Sequence, residues 1–79
     1  MNVCQLIHVF YRTFPKGELT SYFDEVEVFL EVTVAGVPYR IDDYLHCQRR
    51  DGAGSIEKHM SAKLMRTRAN ILEEEGSEE

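Results

Sequence analysis

The chain has 79 residues, of which 43% are hydrophobic, and a formal net charge of −5. This length suits a single domain and leaves no room for a second core, and the apolar fraction excludes a disordered chain. No apolar run approaches the roughly 18 residues of a membrane span, and the start lacks the pattern of a signal peptide. We therefore expect one cytoplasmic domain over residues 1–72, followed by an acidic, frayed tail over residues 73–79.

The charges are segregated along the chain. Residues 17–48 hold seven acidic residues against one arginine, whereas residues 49–72 hold six basic residues against two acidic ones. The charged residues of the tail, residues 73–79, are all glutamates. This pattern predicts a bipolar molecule with an acidic sheet and a basic helix.

Residues 3–14 fit two kinds of element. Most of them are β-branched or aromatic, which favours a strand with apolar side chains on both faces. A helical stripe is also present, formed by Val3, Ile7, Phe10 and Phe14. Asn2 would cap such a helix and Pro15 would end it. We expect the strand, with the helix as the alternative.

Residues 15–24 are expected to form a connection. Pro15-Lys16-Gly17-Glu18 has the composition of a turn. The rest of this segment contains Leu19, Tyr22 and Phe23, which we expect to lie under the edge of the sheet.

Residues 25–34 alternate strictly between two sets of side chains. The first set is Val26, Val28, Leu30, Val32 and Val34, and the second is Glu25, Glu27, Phe29, Glu31 and Thr33. Successive side chains of a strand point to opposite faces. The pattern therefore predicts a half-buried strand with an aliphatic inner face and an acidic outer face.

Ala35-Gly36 predicts a hairpin, with a return strand over residues 37–45. A connection of two or four residues keeps the aliphatic side chains of both strands on one face, whereas three residues would reverse the return strand. The accepted register places Glu31 opposite Arg40. Pro38 has no N–H, so the return strand is expected to be at an edge at that position.

The last part of the chain predicts a flexible connection over residues 48–54 and a helix over residues 56–72, with Ser55 as its N-cap. The stripe expected to dock on the sheet is Ile56, Met60, Leu64, Thr67 and Ile71. A thinner second stripe consists of Ala62, Met65, Ala69 and Leu72; it could be idle surface, the flank of the core or a contact for another chain. The predicted fold is α+β, an antiparallel three-stranded sheet with one C-terminal helix on one face, in the order βββα.

The side chains that could carry chemistry are scattered. The candidate soft ligands are Cys4, His8, His46, Cys47 and His59. Cys4 and His8 would be about 13 Å apart on a strand, too far for one zinc ion. Ser55 and Lys58 match a Ser-x-x-Lys spacing, but the serine has a simpler role as a helix cap. We expect no catalytic site, metal or cofactor, and two reduced, mostly buried thiols.

Nucleic-acid binding is one alternative. The basic residues in or before the helix are Arg49, Arg50, Lys58, Lys63, Arg66 and Arg68. A hairpin followed by Gly52-Ala53-Gly54-Ser55 and a basic helix from Lys58 to Lys63 resembles the double-stranded RNA-binding domain, which implies contact with duplex RNA. The lysine pair of that family after the serine is absent, and Glu57 with the acidic sheet would repel phosphates. Direct binding of nucleic acid is therefore the less favoured reading.

The favoured prediction is a non-enzymatic protein–protein interaction module. The expected contact residues are Glu25, Glu27, Phe29, Glu31, Asp42 and Asp43, with Arg66 and Arg68 second. An acidic face complements a basic patch on a partner, and such patches are common on nucleic-acid enzymes, so a blocker of such an enzyme is the specific hypothesis. In size and charge the chain is similar to small inhibitors carried by phages and mobile elements, including anti-CRISPR proteins.

Two further expectations follow. Self-association is expected, because a domain this small buries little surface, and a structural homodimer subunit is the other alternative. Reversal of Glu27 and Glu31 to lysine is expected to abolish binding of the partner while leaving folding nearly intact.

Overall fold

The fold combines a four-stranded antiparallel sheet with two helices on one of its faces. The computed structural model describes residues 1–52 and 54–76. Its elements are α1 (Val3–Thr13), β1 (Glu18–Asp24), β2 (Val28–Val34), β3 (Val37–Asp42), β4 (Cys47–Arg49) and α2 (Lys58–Gly76). The strands lie in the order β1-β2-β3-β4, α1 lies against β1 and β2, and α2 lies against α1 and β4. The predicted α+β class and antiparallel pairing are confirmed.

Residues 3–13 form a helix and Phe14 is its C-cap, so the expected first strand is wrong. The Asn2 side chain accepts a hydrogen bond from the Gln5 N–H at 2.9 Å, and the Gln5 side chain accepts one from the Asn2 N–H at 3.0 Å. This reciprocal capping box satisfies two backbone donors at the start of α1. The buried residues of α1 are Leu6, Val9 and Phe10. The helical alternative prevails because this face of α1 supplies much of the core.

The sheet has four strands where three were expected. Residues 18–24, expected to be a connection, form β1, which pairs with β2 through Leu19↔Val32 and Phe23↔Phe29, with a bulge between Leu19 and Ser21. The short strand β4 pairs with β3 through Ile41↔Cys47. The predicted βββα order is therefore corrected to αββββα.

The strand predicted over residues 25–34 begins later than the alternation indicated. β2 begins at Val28, and its inner face carries Leu30 and Val32, which are fully buried. Val26, expected on the same aliphatic face, lies in the bend before β2 and is 98% exposed. The alternating pattern thus continues into a segment that has left the sheet.

The hairpin between β2 and β3 has the predicted register. Val34 pairs with Val37, and Glu31 pairs with Arg40. Ala35 and Gly36 have positive φ angles of 51° and 80°, as the tight two-residue hairpin turn requires. β3 is an inner strand, but β4 pairs with it only from Tyr39 to Ile41. Next to that ladder the Arg50 N–H still donates to the Pro38 carbonyl oxygen at 2.9 Å, and Pro38, which has no N–H, makes no bond in return.

Helix α2 starts later and ends later than predicted. It begins at Lys58, where the Ser61 N–H donates to the Glu57 carbonyl oxygen at 2.9 Å, so the expected cap at Ser55 is wrong. Ile56 is 49% exposed and forms an isolated bridge with Gln48. The rest of the predicted stripe faces inward: Leu64 is fully buried, and Met60, Thr67 and Ile71 are partly buried.

The two helices are joined by polar contacts at the middle of α2 and near its end. The hydroxyl oxygens of Thr13 and Thr67 are 2.7 Å apart. Arg12 Nη1 donates to Glu74 Oε2 at 2.8 Å, and this contact raises the pKa of Arg12 and lowers that of Glu74. The predicted acidic tail is therefore helical as far as Gly76, and residues 77–79 lie outside the described part of the chain.

Candidate protein-binding surface

The face of the sheet that is turned away from the helices, called the outer face below, has an aromatic stack near the bend between β1 and β2. The rings of Phe23 and Phe29 are stacked with centroids 4.5 Å apart. The guanidinium carbon of Arg40 lies 3.8 Å from the centroid of the Phe29 ring, a cation–π contact. Phe29 is therefore covered by a ring from β1 and a cation from β3, and it is only partly exposed.

Two of the predicted acidic contact residues are paired with arginines on this face. Glu31 is 22% exposed, lies 3.0 Å from Arg50 Nη2 and accepts a hydrogen bond from the Ser21 hydroxyl at 2.6 Å. Glu27 lies 3.0 Å from Arg40 Nη2. Glu31 and Arg40 are opposite each other in the register of β2 and β3, but Glu31 forms its ion pair with Arg50 and Arg40 forms its ion pair with Glu27. The middle of the outer face is therefore close to neutral.

Asp42 shapes the turn between β3 and β4. Its Oδ1 accepts hydrogen bonds from the backbone N–H groups of Tyr44 at 3.0 Å and His46 at 2.9 Å, and its Oδ2 lies 3.4 Å from His46 Nδ1. Leu45, inside the turn, is 2% exposed and has a φ of 67°. The Asp42 carboxylate thus stabilises a turn whose backbone is strained, while the neighbouring Asp43 side chain is partly exposed.

The exposed apolar side chains and the remaining carboxylates meet at one end of the sheet. Tyr22 is 54% exposed, Phe23 47%, Val26 98% and Tyr44 74%. We call this surface the acidic–aromatic end; it consists of Tyr22, Phe23, Asp24, Glu25, Val26, Glu27, Phe29, Asp42, Asp43 and Tyr44. Two open grooves, of about 500 and 380 Å³, share the ridge formed by Val26, Glu27 and Phe29.

The electrostatics of the acidic–aromatic end are one-sided. It contains five carboxylates, and the cations lining its grooves are Arg40 and, when protonated, His46. The bend between β1 and β2 contributes Glu25 and Glu27, and the end of β1 contributes Asp24. Such a concentration of one sign gives this end of the sheet a negative potential, which is strongest at low ionic strength.

The structure does not bring Arg66 and Arg68 to the outer face. Both are exposed on α2, which packs on the opposite side of the sheet. Arg68 lines a separate groove with Tyr44, Met65 and Leu72. The second helix stripe is exposed there, with Met65 at 43% and Leu72 at 52%.

The basic segment before α2 is partly neutralised. Arg49 Nε lies 2.6 Å from Asp51 Oδ1, and Arg50 pairs with Glu31. Asp51 raises the pKa of Arg49, and Arg49 lowers the pKa of Asp51. Two of the six basic residues considered for nucleic acid are thus engaged within the protein itself.

The two cysteines occupy different environments. Cys4 is exposed on α1, and Cys47 is fully buried on β4. Burial, assisted by the Glu57 carboxylate, raises the pKa of the Cys47 thiol to about 12, which makes it unreactive. Burial also raises the pKa of the neighbouring Tyr39 hydroxyl. Within residues 1–52 and 54–76, no three His, Cys, Asp or Glu side chains cluster closely enough to hold a metal ion.

Sequence reasoning missed Tyr22, Phe23 and Val26 as surface residues. The first two were assigned to the sheet edge in a connection, and Val26 was assigned to the core by the alternation of residues 25–34. The acidic residues Asp24, Glu25 and Glu27 were the available indication, because strands disfavour aspartate and, less strongly, glutamate. They mark the bend that exposes Val26.

Comparison with known proteins adds no relative: no protein-family model, curated protein or solved structure matches the chain. The case for function therefore depends on the surface described above. Neither of the two described helices has the length and apolar character to cross a membrane.

Proposed function

We propose that this protein is a non-enzymatic interaction module that binds a protein partner with a basic surface through its acidic–aromatic end. The observation that carries the proposal is the coincidence of exposed apolar side chains with surrounding carboxylates. Partly exposed aromatic residues are typical binding anchors. Carboxylates around them favour association with a basic patch and disfavour acidic competitors.

The proposed contact surface lies at the acidic–aromatic end and not in the middle of the outer face. Glu25 and Asp43 stay among the contact residues, whereas Glu31 and Asp42 mainly maintain the fold through the bonds they make to Arg50 and to the turn backbone. Phe29 contributes through its stack with Phe23. Tyr22, Phe23, Val26 and Tyr44 join the set.

The class of partner follows from charge. Proteins that bind nucleic acid neutralise phosphates with lysine and arginine, so they present basic surfaces that this end of the sheet would cover. We therefore propose a blocker of such a protein, which competes with nucleic acid for the same patch. The free thiols of Cys4 and Cys47 accord with a reducing compartment, and the cytoplasm is the proposed site of action.

The test compares three forms of the protein immobilised for affinity capture from a cell lysate treated with nuclease. Wild type should retain a basic protein that is released as salt is raised, because screening weakens exposed charge pairs. The Glu25→Lys/Asp43→Lys variant should lose it. The control variant Glu73→Lys/Glu75→Lys has the same change in net charge on exposed positions of α2 and should retain it.

A partner retained equally by the Glu25→Lys/Asp43→Lys variant would overturn the proposal. Competition supplies the second measurement: a DNA or RNA duplex bound by the captured partner should be displaced by wild type. Binding of the duplex by the protein itself, lost on Lys63→Glu/Arg66→Glu, would instead support the nucleic-acid alternative.

A further inference from the structure

The two edge strands of the sheet, β1 and β4, differ in how much of their backbone is covered by other parts of the chain. At the β4 edge, the chain that leads into α2 runs alongside the strand: the Arg49 N–H donates to the Ser55 carbonyl oxygen at 3.1 Å, and the Glu57 N–H donates to the Cys47 carbonyl oxygen at 2.7 Å. Gln48 also forms a bridge with Ile56. The β4 edge is thereby covered, as edge strands in monomeric proteins usually are.

The β1 edge is covered only at its start. Among the described residues, β1 has β2 as its sole neighbour in the sheet. The Tyr11 hydroxyl accepts a hydrogen bond from the Leu19 N–H at 3.2 Å, and the bulge between Leu19 and Ser21 interrupts the regular pairing. Residues 21–24 follow this bulge in regular register with β2. An edge strand presents backbone N–H and C=O groups to solvent, so this stretch is a template for a further strand.

Side chains on both faces of this stretch are available for packing. Tyr22 pairs with Leu30 and Phe23 with Phe29, so they lie on opposite faces of the sheet, and both are about half exposed. A strand laid along residues 21–24 would place its own alternate side chains against these two rings. Backbone hydrogen bonds would provide affinity, and the rings would select apolar side chains.

Charge favours a basic segment of another protein over a second copy of this chain as the strand added to β1. Antiparallel self-pairing over residues 21–24 would set Asp24 of one copy opposite Ser21 of the other and Glu25 opposite Thr20, so a second copy offers neither carboxylate a cation. Asp24 and the exposed Glu25 instead favour a cation at the end of the added strand. A second copy of this chain is therefore disfavoured relative to a basic segment.

We propose that an extended segment of the protein partner adds to β1 as a fifth strand along residues 21–24. Its apolar side chains pack on Tyr22 and Phe23, and a lysine or arginine lies beside Asp24 and Glu25. This inference rests on the proposed function for the identity of the partner and adds the manner of recognition.

The test uses a synthetic heptapeptide of alternating valine and threonine with a lysine at each end, capped at both termini. Titrated into the 15N-labelled protein, it should shift the amide resonances of residues 21–24 and slow their hydrogen exchange. Two matched peptides serve as controls. One is N-methylated at alternate amides and cannot form the ladder, and the other has glutamate in place of both lysines; both should bind at least about tenfold more weakly.

The variant Asp24→Lys/Glu25→Lys should weaken binding of the lysine peptide by about tenfold, while Glu73→Lys/Glu75→Lys should leave it unchanged. Strand addition is overturned if the N-methylated peptide binds as tightly as its parent, if neither peptide binds, or if the shifts map to Tyr44 and α2. A concentration-dependent dimer that protects residues 21–24 would show that a second copy occupies the edge. If no peptide binds but the Glu25→Lys/Asp43→Lys variant still loses the captured partner, the proposed function stands and only strand addition is overturned.

Discussion

At the scale of single residues, the acidic side chains of this protein divide into those that hold the fold and those that the proposed function assigns to contact with a partner. Glu31 belongs to the first group, because it is 22% exposed and is bound to Arg50 and to the Ser21 hydroxyl. Glu25 belongs to the second, since it is exposed in the bend between β1 and β2. The distinction depends on contacts between strands that are remote in sequence.

We expect Glu31→Lys to destabilise the protein by about 1–2 kcal/mol, because it sets a cation beside Arg50 and removes the acceptor of the Ser21 hydroxyl. Glu25→Lys should change the free energy of unfolding by less than about 0.5 kcal/mol. Urea unfolding of both variants measures the difference. Equal stabilities would contradict the division, and the earlier expectation that Glu27 and Glu31 can be reversed without affecting folding would then apply.

Cys47 makes stability depend on pH in the alkaline range. Its pKa is about 12 in the folded protein against an ordinary value of 9.0, so the unfolded chain loses this proton first as pH rises. The stability present below pH 9 should decline above it, by at most about 1.4 kcal/mol per pH unit.

The comparison that isolates the thiol is Cys47→Ala. Between pH 9 and 10.5 its free energy of unfolding should fall less steeply with pH than that of wild type. The difference between the two slopes should correspond to the release of at most one proton, about 1.4 kcal/mol per pH unit. Chemical denaturation at several pH values measures both slopes. Parallel slopes would show that the Cys47 thiol is not the group responsible.

At the scale of elements, one of the hydrogen bonds that link β4 to α2 is made by a buried hydroxyl. Ser61 is 5% exposed, and its Oγ accepts a hydrogen bond from the Cys47 N–H at 2.8 Å. Ser61→Ala should destabilise the protein by about 1–3 kcal/mol, because it leaves that buried donor without an acceptor. Ser55→Ala is the matched control.

The same pair of variants tests where α2 begins. Ser55→Ala should change stability by less than about 0.5 kcal/mol, whereas loss of a helix N-cap typically costs about 1 kcal/mol. Thermal or urea unfolding gives both values. A larger effect at Ser55 than at Ser61 would restore the cap predicted from the sequence.

The elements differ in how far the sequence could predict them. The β2–β3 hairpin was predictable to the register, because two alternating runs flank a two-residue turn with glycine at its second position. Helix α1 was misassigned because Val3, Ile7 and Phe10 suit both a strand and a helix. The Asn2–Gln5 capping box was the local evidence that favoured the helix. β1 was missed because its side chains are mostly exposed and β4 because it is only three residues long.

The candidate surface was predictable in its sign but not in its composition. The alternation placed Glu25 and Glu27 on the outer face of a strand, whereas both lie in the bend before β2, where Glu27 lines a groove with Asp43. The positions of Tyr22 and Phe23 depend on β1, and the ion pair between Glu31 and Arg50 depends on β4. Neither strand was predicted, so these neighbours could not be inferred.

At the scale of the whole molecule, folding and the proposed binding draw on separate aromatic residues. Phe10 is fully buried among the helices and the inner face of the sheet, and its ring lies so close to Gly17 that a Cβ there would approach Phe10 Cζ to 2.6 Å. Phe23 is about half exposed on the outer face.

We expect Phe10→Ala to destabilise by about 3–5 kcal/mol, which is a large part of the roughly 4–12 kcal/mol available to a domain of this size. Phe23→Ala should remain folded and lose the captured partner. Circular dichroism during thermal unfolding and affinity capture measure the two effects. Loss of the partner in a folded Phe10→Ala variant, with retention in Phe23→Ala, would contradict the separation.

The placement of both helices on one face of the sheet has a practical consequence. Since the packed interior draws on only one side of each strand, positions on the other side such as Thr33 and Gln48, which unlike Glu31 hold no ion pair, can be exchanged with little effect on folding. The same framework could be given a randomised outer surface and selected against unrelated targets, as is done with other small binding scaffolds.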